Sequence, residues 1–126
     1  MAKKILIIDD SATVRQQVRQ VLVDASFEVV EAADGIEGLD AIVGRTDLAA
    51  VLCDVNMPRM GGLEMLEMLN AKGRPAGLPI VMLTTEGQPA LVQKAKAAGA
   101  KGWIVKPFKP DLLLATVRKL ASMESS

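Results

Sequence analysis

The feature that most constrains the fold is a regular alternation between short apolar runs and segments of helical periodicity. Continuous apolar runs of strand length cover residues 5–8, 49–53, 80–83 and 103–105. Such runs are typical of parallel strands that are buried on both faces of a sheet. Residues 27–32 differ, because Glu28 and Glu31 interrupt the apolar positions, and this pattern predicts a partly exposed edge strand.

Helical periodicity fills the intervals between these runs. Ser11 is the predicted N-cap of a helix of about three turns, and Asp34 is the predicted N-cap of a helix that reaches Ile42. Residues 62–70 and 89–98 continue the pattern, with Pro89 in a position that suits a first helical turn. A last helix is expected to begin near Pro110, and residues 122–126 are expected to form a fraying tail.

Five strand-helix repeats predict an α/β fold, a single-domain doubly wound five-stranded parallel sheet with helices on both faces. A chain of 126 residues can bury one core of this size, so we expect one domain over residues 1–126 and no output domain. Ligands of such sheets bind at the carboxyl ends of the strands. The residues that follow each apolar run are therefore the candidates for function.

The composition excludes several classes of function. The chain has 15 basic and 15 acidic residues and only two Phe and one Trp as aromatic residues, so it lacks the basic, stacking surface typical of nucleic-acid binding. One cysteine and no histidine exclude an internal disulfide, a histidine zinc site and a serine-histidine triad. The N-terminal apolar run is too short for a signal or membrane segment. We expect a cytoplasmic monomer with no nucleic-acid or membrane partner.

Reactive or ligand side chains follow four of the apolar runs. Asp9 and Asp10 follow the first, Asp54 follows the third, Thr84 follows the fourth and Lys106 follows the fifth. Three carboxylates at one edge repel one another unless cations neutralise them, and one lysine is too little. An open, oxygen-rich edge of this kind favours Mg²⁺.

A carboxylate beside Mg²⁺ can act as a nucleophile toward phosphorus when other groups hold the phosphoryl oxygens. Asp54 is the predicted nucleophile, because it stands alone at the middle of the sheet, and the adjacent Asp9 and Asp10 are the predicted metal platform. The Lys106 ammonium and the Thr84 hydroxyl are expected to contact phosphoryl oxygens.

Each of these residues also has an ordinary structural interpretation. Asp54 taken alone is more often a helix cap or a solvated loop residue, and Asp10 can simply cap the first helix. Lys106 can be a surface lysine, and the Thr84 hydroxyl can bond to nearby backbone. Four strand ends that each supply a group required by one reaction favour the functional interpretation.

Four short stretches follow one another in a recognisable order. They are Ile8-Asp9-Asp10-Ser11, Cys53-Asp54-Val55-Asn56-Met57-Pro58, Met82-Leu83-Thr84 and Trp103-Ile104-Val105-Lys106-Pro107-Phe108. As a set, spanning nearly the whole chain, they resemble response-regulator receiver domains, the stand-alone chemotaxis regulators among them. The resemblance implies the flavodoxin-like strand order 2-1-3-4-5, for which the chemotaxis regulator is itself a known example.

The resemblance also implies roles for the site. Asp54 would accept a phosphoryl group from a phosphohistidine of a sensor histidine kinase. Mg²⁺ would be held by Asp10, Asp54 and the backbone carbonyl of Asn56, and Asp9 would orient a metal-bound water. Thr84 and Trp103 would be the switch residues, which change the surface formed by the fourth helix, fifth strand and fifth helix.

Several positions bear on how closely the chain follows the family. Lys106–Pro107 is expected to be a cis bond.

Trp103 replaces a tyrosine or phenylalanine and has an N–H that needs a partner. Thr85 is larger than the residue common there, which predicts slower transfer from small donors. Gly61 replaces a frequent aspartate. Asn56 and Glu86 occupy positions where family members tune water access, although a solvated loop is the alternative for both residues.

The sequence therefore predicts a single-domain response regulator that takes a phosphoryl group on Asp54 and switches its binding to a downstream protein, with the flagellar motor switch as a candidate. A phosphate shuttle in a multistep relay is the nearest alternative. An aspartyl-nucleophile phosphohydrolase is less favoured, because such enzymes place a second acid where this chain has Asn56. A flavodoxin-like electron carrier is also disfavoured, because the three acids at the strand ends would repel its anionic cofactor.

Overall fold

The computed structural model of the chain describes residues 3–73, 78–84 and 89–124. Strands and helices alternate in the order β1 (Lys4–Ile8), α1 (Ala12–Asp24), β2 (Glu28–Ala32), α2 (Gly35–Gly44), β3 (Leu48–Asp54), α3 (Gly62–Lys72), β4 (Ile80–Thr84), α4 (Pro89–Ala97), β5 (Gly102–Val105) and α5 (Pro110–Glu124). Within the described ranges, none of the helices combines the length and apolar character needed to cross a bilayer.

The five strands form one parallel sheet in the order β2-β1-β3-β4-β5, which confirms the predicted fold class and strand order. The carboxyl ends of neighbouring strands are in register: Ile8 pairs with Cys53, and Asp54 pairs with Leu83. Thr84 in turn pairs with Val105. The residues that end or follow β1, β3, β4 and β5 therefore lie side by side along one edge of the sheet.

The sheet separates two hydrophobic layers, because successive side chains of a strand point to opposite faces. Ile5 and Ile7 of β1 face α1 and α5, and they pack in a cluster with Val18 and Val117. Leu6 and Ile8 belong to the opposite cluster. Buried residues of α2, α3 and α4 complete that second cluster, namely Leu39, Ile42, Met65, Leu66, Leu69 and Ala95.

The predicted helix starts are confirmed by their caps. The Ser11 side-chain oxygen accepts a hydrogen bond from the Val14 N–H at 3.2 Å, and an Asp34 carboxylate oxygen accepts one from the Glu37 N–H at 2.9 Å. Because Ser11 is the N-cap of α1, the alternative that Asp10 caps this helix is wrong. The first of these helices, α1, thus begins directly after the strand end that carries Asp9 and Asp10.

Two sequence predictions need correction. The apolar run 103–105 was expected to be buried on both faces, but β5 lies at the edge of the sheet and Val105 is 49% exposed. An edge strand has a neighbour on one side only, so part of its apolar surface stays in contact with solvent. The fraying tail was expected to begin at residue 122, and this boundary is also wrong, because α5 continues to Glu124. The buried Val117 and Ala121 anchor the later turns of this helix.

Candidate functional site

Three acids and one lysine meet at the carboxyl ends of β1, β3 and β5. Asp9, Asp10 and Asp54 each offer a carboxylate oxygen, and these atoms all lie within 4.8 Å of one another. The Nζ atom of Lys106 lies 2.7 Å from Asp9 Oδ2 and 3.4 Å from Asp54 Oδ2. Strand register explains the arrangement, since these residues end or directly follow neighbouring parallel strands. Four side chains singled out from the sequence therefore share one site.

Asp9 is the most firmly held of the three acids. Its side chain is fully buried, its Oδ1 atom accepts a hydrogen bond from the Ser11 N–H at 2.8 Å, and its Oδ2 atom accepts one from Lys106. Asp10, one residue later, is exposed. Asp54 ends β3 and is only 7% exposed, so the interpretation of Asp54 as a solvated loop residue or helix cap is wrong.

The charges of the site do not balance. Three carboxylates face one ammonium, which leaves two negative charges uncompensated. Burial, and then the charge of Asp9, raise the pKa of Asp54 above its ordinary value, although Lys106 acts in the opposite direction. Burial disfavours the charged form of Lys106, but its hydrogen bond to Asp9 and the charge of Asp54 outweigh burial and raise its pKa. A lysine so placed is not an ordinary surface lysine.

The residues present fit a hydrated Mg²⁺. A recess of about 390 Å³ lies beside the acids and is lined by Asp10, Asn56, Gly61 and Glu64, among others. The backbone N–H of Asn56 donates to the Asp54 carboxylate, which places the start of the β3–α3 loop against the site. Magnesium prefers oxygen ligands and keeps several of its waters, so it needs both the uncompensated carboxylates and the adjacent space.

Thr84 lies beside this cluster, and Trp103 does not belong to it. Thr84 ends β4 and is fully buried. Its backbone carbonyl accepts a hydrogen bond from the backbone N–H of Lys106 at 2.7 Å. The Trp103 side chain packs against the hydrophobic cluster on the α2–α4 side of the sheet. Its buried Nε1 atom has no hydrogen-bond partner, as judged over the described ranges.

The remaining predictions about single positions divide into two groups. The Lys106–Pro107 bond is cis, as the resemblance implies. The predictions for Thr85 and Glu86 concern positions outside the described residues.

Two arginines near the site were missed by reasoning from the sequence. Arg15 of α1 donates from Nη1 to the Asp9 carbonyl and from Nε to Glu31 at 3.1 Å. Arg59, in the loop after β3, donates from Nε to Asp34 Oδ2 at 2.6 Å. Arg15 follows the predicted cap Ser11 by one helical turn, and this spacing could have indicated that its side chain lies near the end of β1. Nothing local indicates the pairing of Arg59, because its partner lies 25 residues away in sequence.

Comparison with known proteins adds a family profile and individual relatives. Residues 5–118 match the profile described as response regulator receiver domain. A chemotaxis protein CheY homolog of Campylobacter jejuni is 39% identical over 111 residues, which cover 87% of this chain and 85% of the relative. The chemotaxis protein CheY1 of Helicobacter pylori is also 39% identical over 111 residues, with 87% of this chain and 90% of the relative covered.

Solved structures share the fold as well. The structure of the chemotaxis protein CheY4 of Vibrio cholerae superposes with a TM-score of 0.87 at 42% identity, covering 95% of this chain and 99% of that one. A CheY-like receiver domain protein of Methanospirillum hungatei gives a TM-score of 0.90 at 29% identity, with 99% and 98% covered. The similarity therefore covers sequence and fold over almost the full length of these proteins.

Proposed function

Since this chain belongs to the family of response regulator receiver domains, we propose that it accepts a phosphoryl group on Asp54 and passes on the signal by changing its binding to another protein. One observation supports the proposal above all others. Three carboxylate oxygens lie within 4.8 Å of one another, and a single lysine contacts two of these acids. This arrangement is costly for stability alone and suited to a divalent cation and a phosphoryl group.

The chain's own residues divide the work of phosphoryl transfer. A carboxylate oxygen of Asp54 attacks phosphorus, and the bond between phosphorus and the donor's leaving group breaks as the new P–O bond forms. Lys106 and the Thr84 hydroxyl contact the oxygens of the transferred group. Because the chain contains no histidine, a phosphohistidine donor has to belong to another protein, a sensor histidine kinase.

Asp10, Asp54 and the backbone carbonyl of Asn56 would hold Mg²⁺, with Asp9 orienting a water of the ion. The ion would supply positive charge to the phosphoryl oxygens. Asp9 suits an indirect role because the Ser11 N–H and Lys106 already occupy its two oxygens. Asp10 suits direct coordination of the ion because its side chain is exposed beside the recess.

The output is proposed to be binding of a partner in chemotaxis or motility, with the flagellar motor switch as the candidate target. The relatives described above are themselves named chemotaxis proteins, which supports this assignment. Members of this family act as signalling proteins, so we propose no turnover of an external substrate. Thr84 and Trp103 are the proposed switch residues that connect the phosphoryl group to the binding surface.

Intact-protein mass spectrometry after incubation with acetyl phosphate tests the phosphoacceptor. We expect one labile phosphoryl addition to the wild type, present with Mg²⁺ and absent when the metal is chelated. Asp54→Asn is the matched variant, because it keeps the size of the side chain and removes the nucleophilic carboxylate. Labelling of Asp54→Asn, or equal labelling without metal, would contradict the proposal.

A phosphate shuttle is the second candidate, and it makes a different prediction. A shuttle passes its phosphoryl group onward to a histidine-containing phosphotransfer protein, whereas a regulator binds its target more tightly once phosphorylated. Mixing the phosphorylated chain with a purified phosphotransfer protein or with a motor-switch peptide separates the two. Transfer without tighter target binding would favour the shuttle.

A further inference from the structure

The loop between β3 and α3 contains a residue in an unfavourable backbone conformation. Arg59 has a φ of 64°, in the left-handed region. For a residue other than glycine this conformation is unfavourable, because the Cβ atom lies too close to the following carbonyl oxygen. Such conformations persist where surrounding contacts stabilise them, and they are found often at functional sites. Arg59 lies in the same loop as Asn56, which borders the acidic site.

The side chain of Arg59 is 56% exposed and pairs with the N-cap and the first turn of α2. Its Nε and Nη2 atoms both lie 2.6 Å from Asp34 Oδ2, and Nη2 lies 3.7 Å from Glu37 Oε2. The other oxygen of Asp34 caps α2 by accepting the Glu37 N–H, and the Asp34 side chain is 7% exposed. The hydrogen bond from the Glu37 N–H lowers the pKa of Asp34 against the effect of burial, and Arg59 lowers it further. Arg59 is therefore paired with a buried, charged carboxylate that also caps α2.

The backbone of the next residue makes a second contact with α2. The Gly35 N–H donates to the Met60 carbonyl at 2.9 Å. A Cβ atom at Gly35 would lie 2.5 Å from that same carbonyl oxygen, so the close approach requires glycine here. Two consecutive loop residues, Arg59 and Met60, are thus held against the N-terminal turn of α2.

The other end of the loop has less support. Gly61 is the N-cap of α3 and provides no side-chain hydrogen bond to the helix. At this end a backbone hydrogen bond runs from the Gly62 N–H to the Val55 carbonyl at 2.9 Å. The contacts of Arg59 with α2 therefore provide the side-chain restraint that the cap of α3 lacks.

We propose that Arg59 is a positioning residue for the metal site: by pairing with Asp34 it holds the β3–α3 loop, and with it the Asn56 carbonyl, in the conformation that binds Mg²⁺. The inference rests on the proposed function, in which that carbonyl is a metal ligand. Arg59 itself does not touch the metal or the phosphoryl group. Its effect is transmitted through the backbone of the loop.

Calorimetric titration of the full chain with Mg²⁺ tests the proposal, with urea unfolding of each variant measured in parallel. Arg59→Gly is the informative variant, because glycine adopts the left-handed conformation without strain, so the fold loses the ion pair and the backbone cost together. We expect Arg59→Gly to bind Mg²⁺ about tenfold more weakly than the wild type, the size of effect seen when the supporting contacts of a metal site are removed. Arg19→Ala, on α1, removes an exposed ion pair with Glu31 of β2 and is the matched control, with unchanged Mg²⁺ affinity expected.

Asp34→Asn completes the comparison, because the amide oxygen can still cap α2 while the charge is lost. We expect it to weaken Mg²⁺ binding as Arg59→Gly does, and the double variant to be no weaker than either single one. Equal Mg²⁺ affinity in the wild type and Arg59→Gly would overturn the positioning role and leave the proposed function intact. Absence of Mg²⁺ binding in the wild type would instead overturn the proposed function.

Discussion

Asp54 carries a negative charge that the apo fold tolerates poorly. Its carboxylate is largely buried, lies close to those of Asp9 and Asp10, and shares Lys106 with Asp9. Two like charges at such a separation repel by a few kcal/mol at the effective dielectric of a protein surface, before the attraction of Lys106 is subtracted. The repulsion therefore lowers the stability of the metal-free protein at the proposed metal site.

Replacing Asp54 with Asn should stabilise the metal-free protein. We expect a gain of about 1 kcal/mol in the free energy of unfolding at neutral pH, because the repulsion is removed while the volume is kept. Urea denaturation with a chelator present measures it. Asp40→Asn, an exposed change on α2, is the control and should alter the free energy of unfolding very little. A less stable Asp54→Asn variant would contradict the account of repulsion.

The stability that Asp54→Asn gains over the wild type should decrease as the pH falls. Because the folded state raises the pKa of Asp54 above 3.8, it binds a proton more tightly than the unfolded state does. Protonation of Asp54 therefore adds stability to the wild type as the pH falls through the raised pKa. The advantage of Asp54→Asn over the wild type should shrink over that range and be smallest at and below the ordinary pKa, where both folded and unfolded Asp54 are protonated.

At the scale of elements, α3 depends on glycine for its approach to β3. A Cβ atom at Gly62 would collide with the backbone carbonyl oxygen of Asp54 and lie 2.6 Å from the Met82 methyl carbon. The helix therefore begins against the very strand end that carries the proposed nucleophile. Any side chain at this position has to push the helix and the strand apart.

Gly62→Ala should destabilise the protein by about 1–3 kcal/mol, since a backbone atom cannot move aside as a flexible side chain can. Gly44→Ala provides the control, because a Cβ atom there meets nothing within 4 Å. That variant should instead gain up to about 1 kcal/mol from reduced backbone freedom in the unfolded chain. Thermal unfolding of the two variants compares them directly, and equal effects would contradict the proposed collision.

The sequence predicted the elements whose signals lie within a few neighbouring residues. The apolar runs and the caps Ser11 and Asp34 depend on neighbours within a few residues, and the strands and helix starts were predicted accordingly. The gathering of Asp9, Asp54 and Lys106 followed from the rule for parallel strand ends. The exposure of Val105 and the pairing of Arg59 depend on sheet position and on contacts distant in sequence, which no local pattern encodes.

For the whole molecule, the site should act as a link between metal binding and folding. The candidate metal ligands come from the residues after β1, the end of β3 and the loop after β3, so a bound ion would connect the neighbouring strands β1 and β3. At a Mg²⁺ concentration about a hundredfold above its dissociation constant, the wild type should gain about 2.7 kcal/mol in stability. Thermal unfolding in Mg²⁺, and again after addition of a chelator, measures the gain and its reversal. Asp54→Asn should gain much less, and an equal gain in both proteins would place the ion elsewhere.

The two hydrophobic layers on either side of the sheet have a consequence for spectroscopy. Trp103, the single tryptophan, packs in the layer formed with α2, α3 and α4, while α1 and α5 pack on the other side. Its fluorescence emission therefore monitors one half of the interior, whereas circular dichroism registers helices on both faces. If one layer loosens before the other, the two melting curves will separate, and the order in which they move will identify the weaker half.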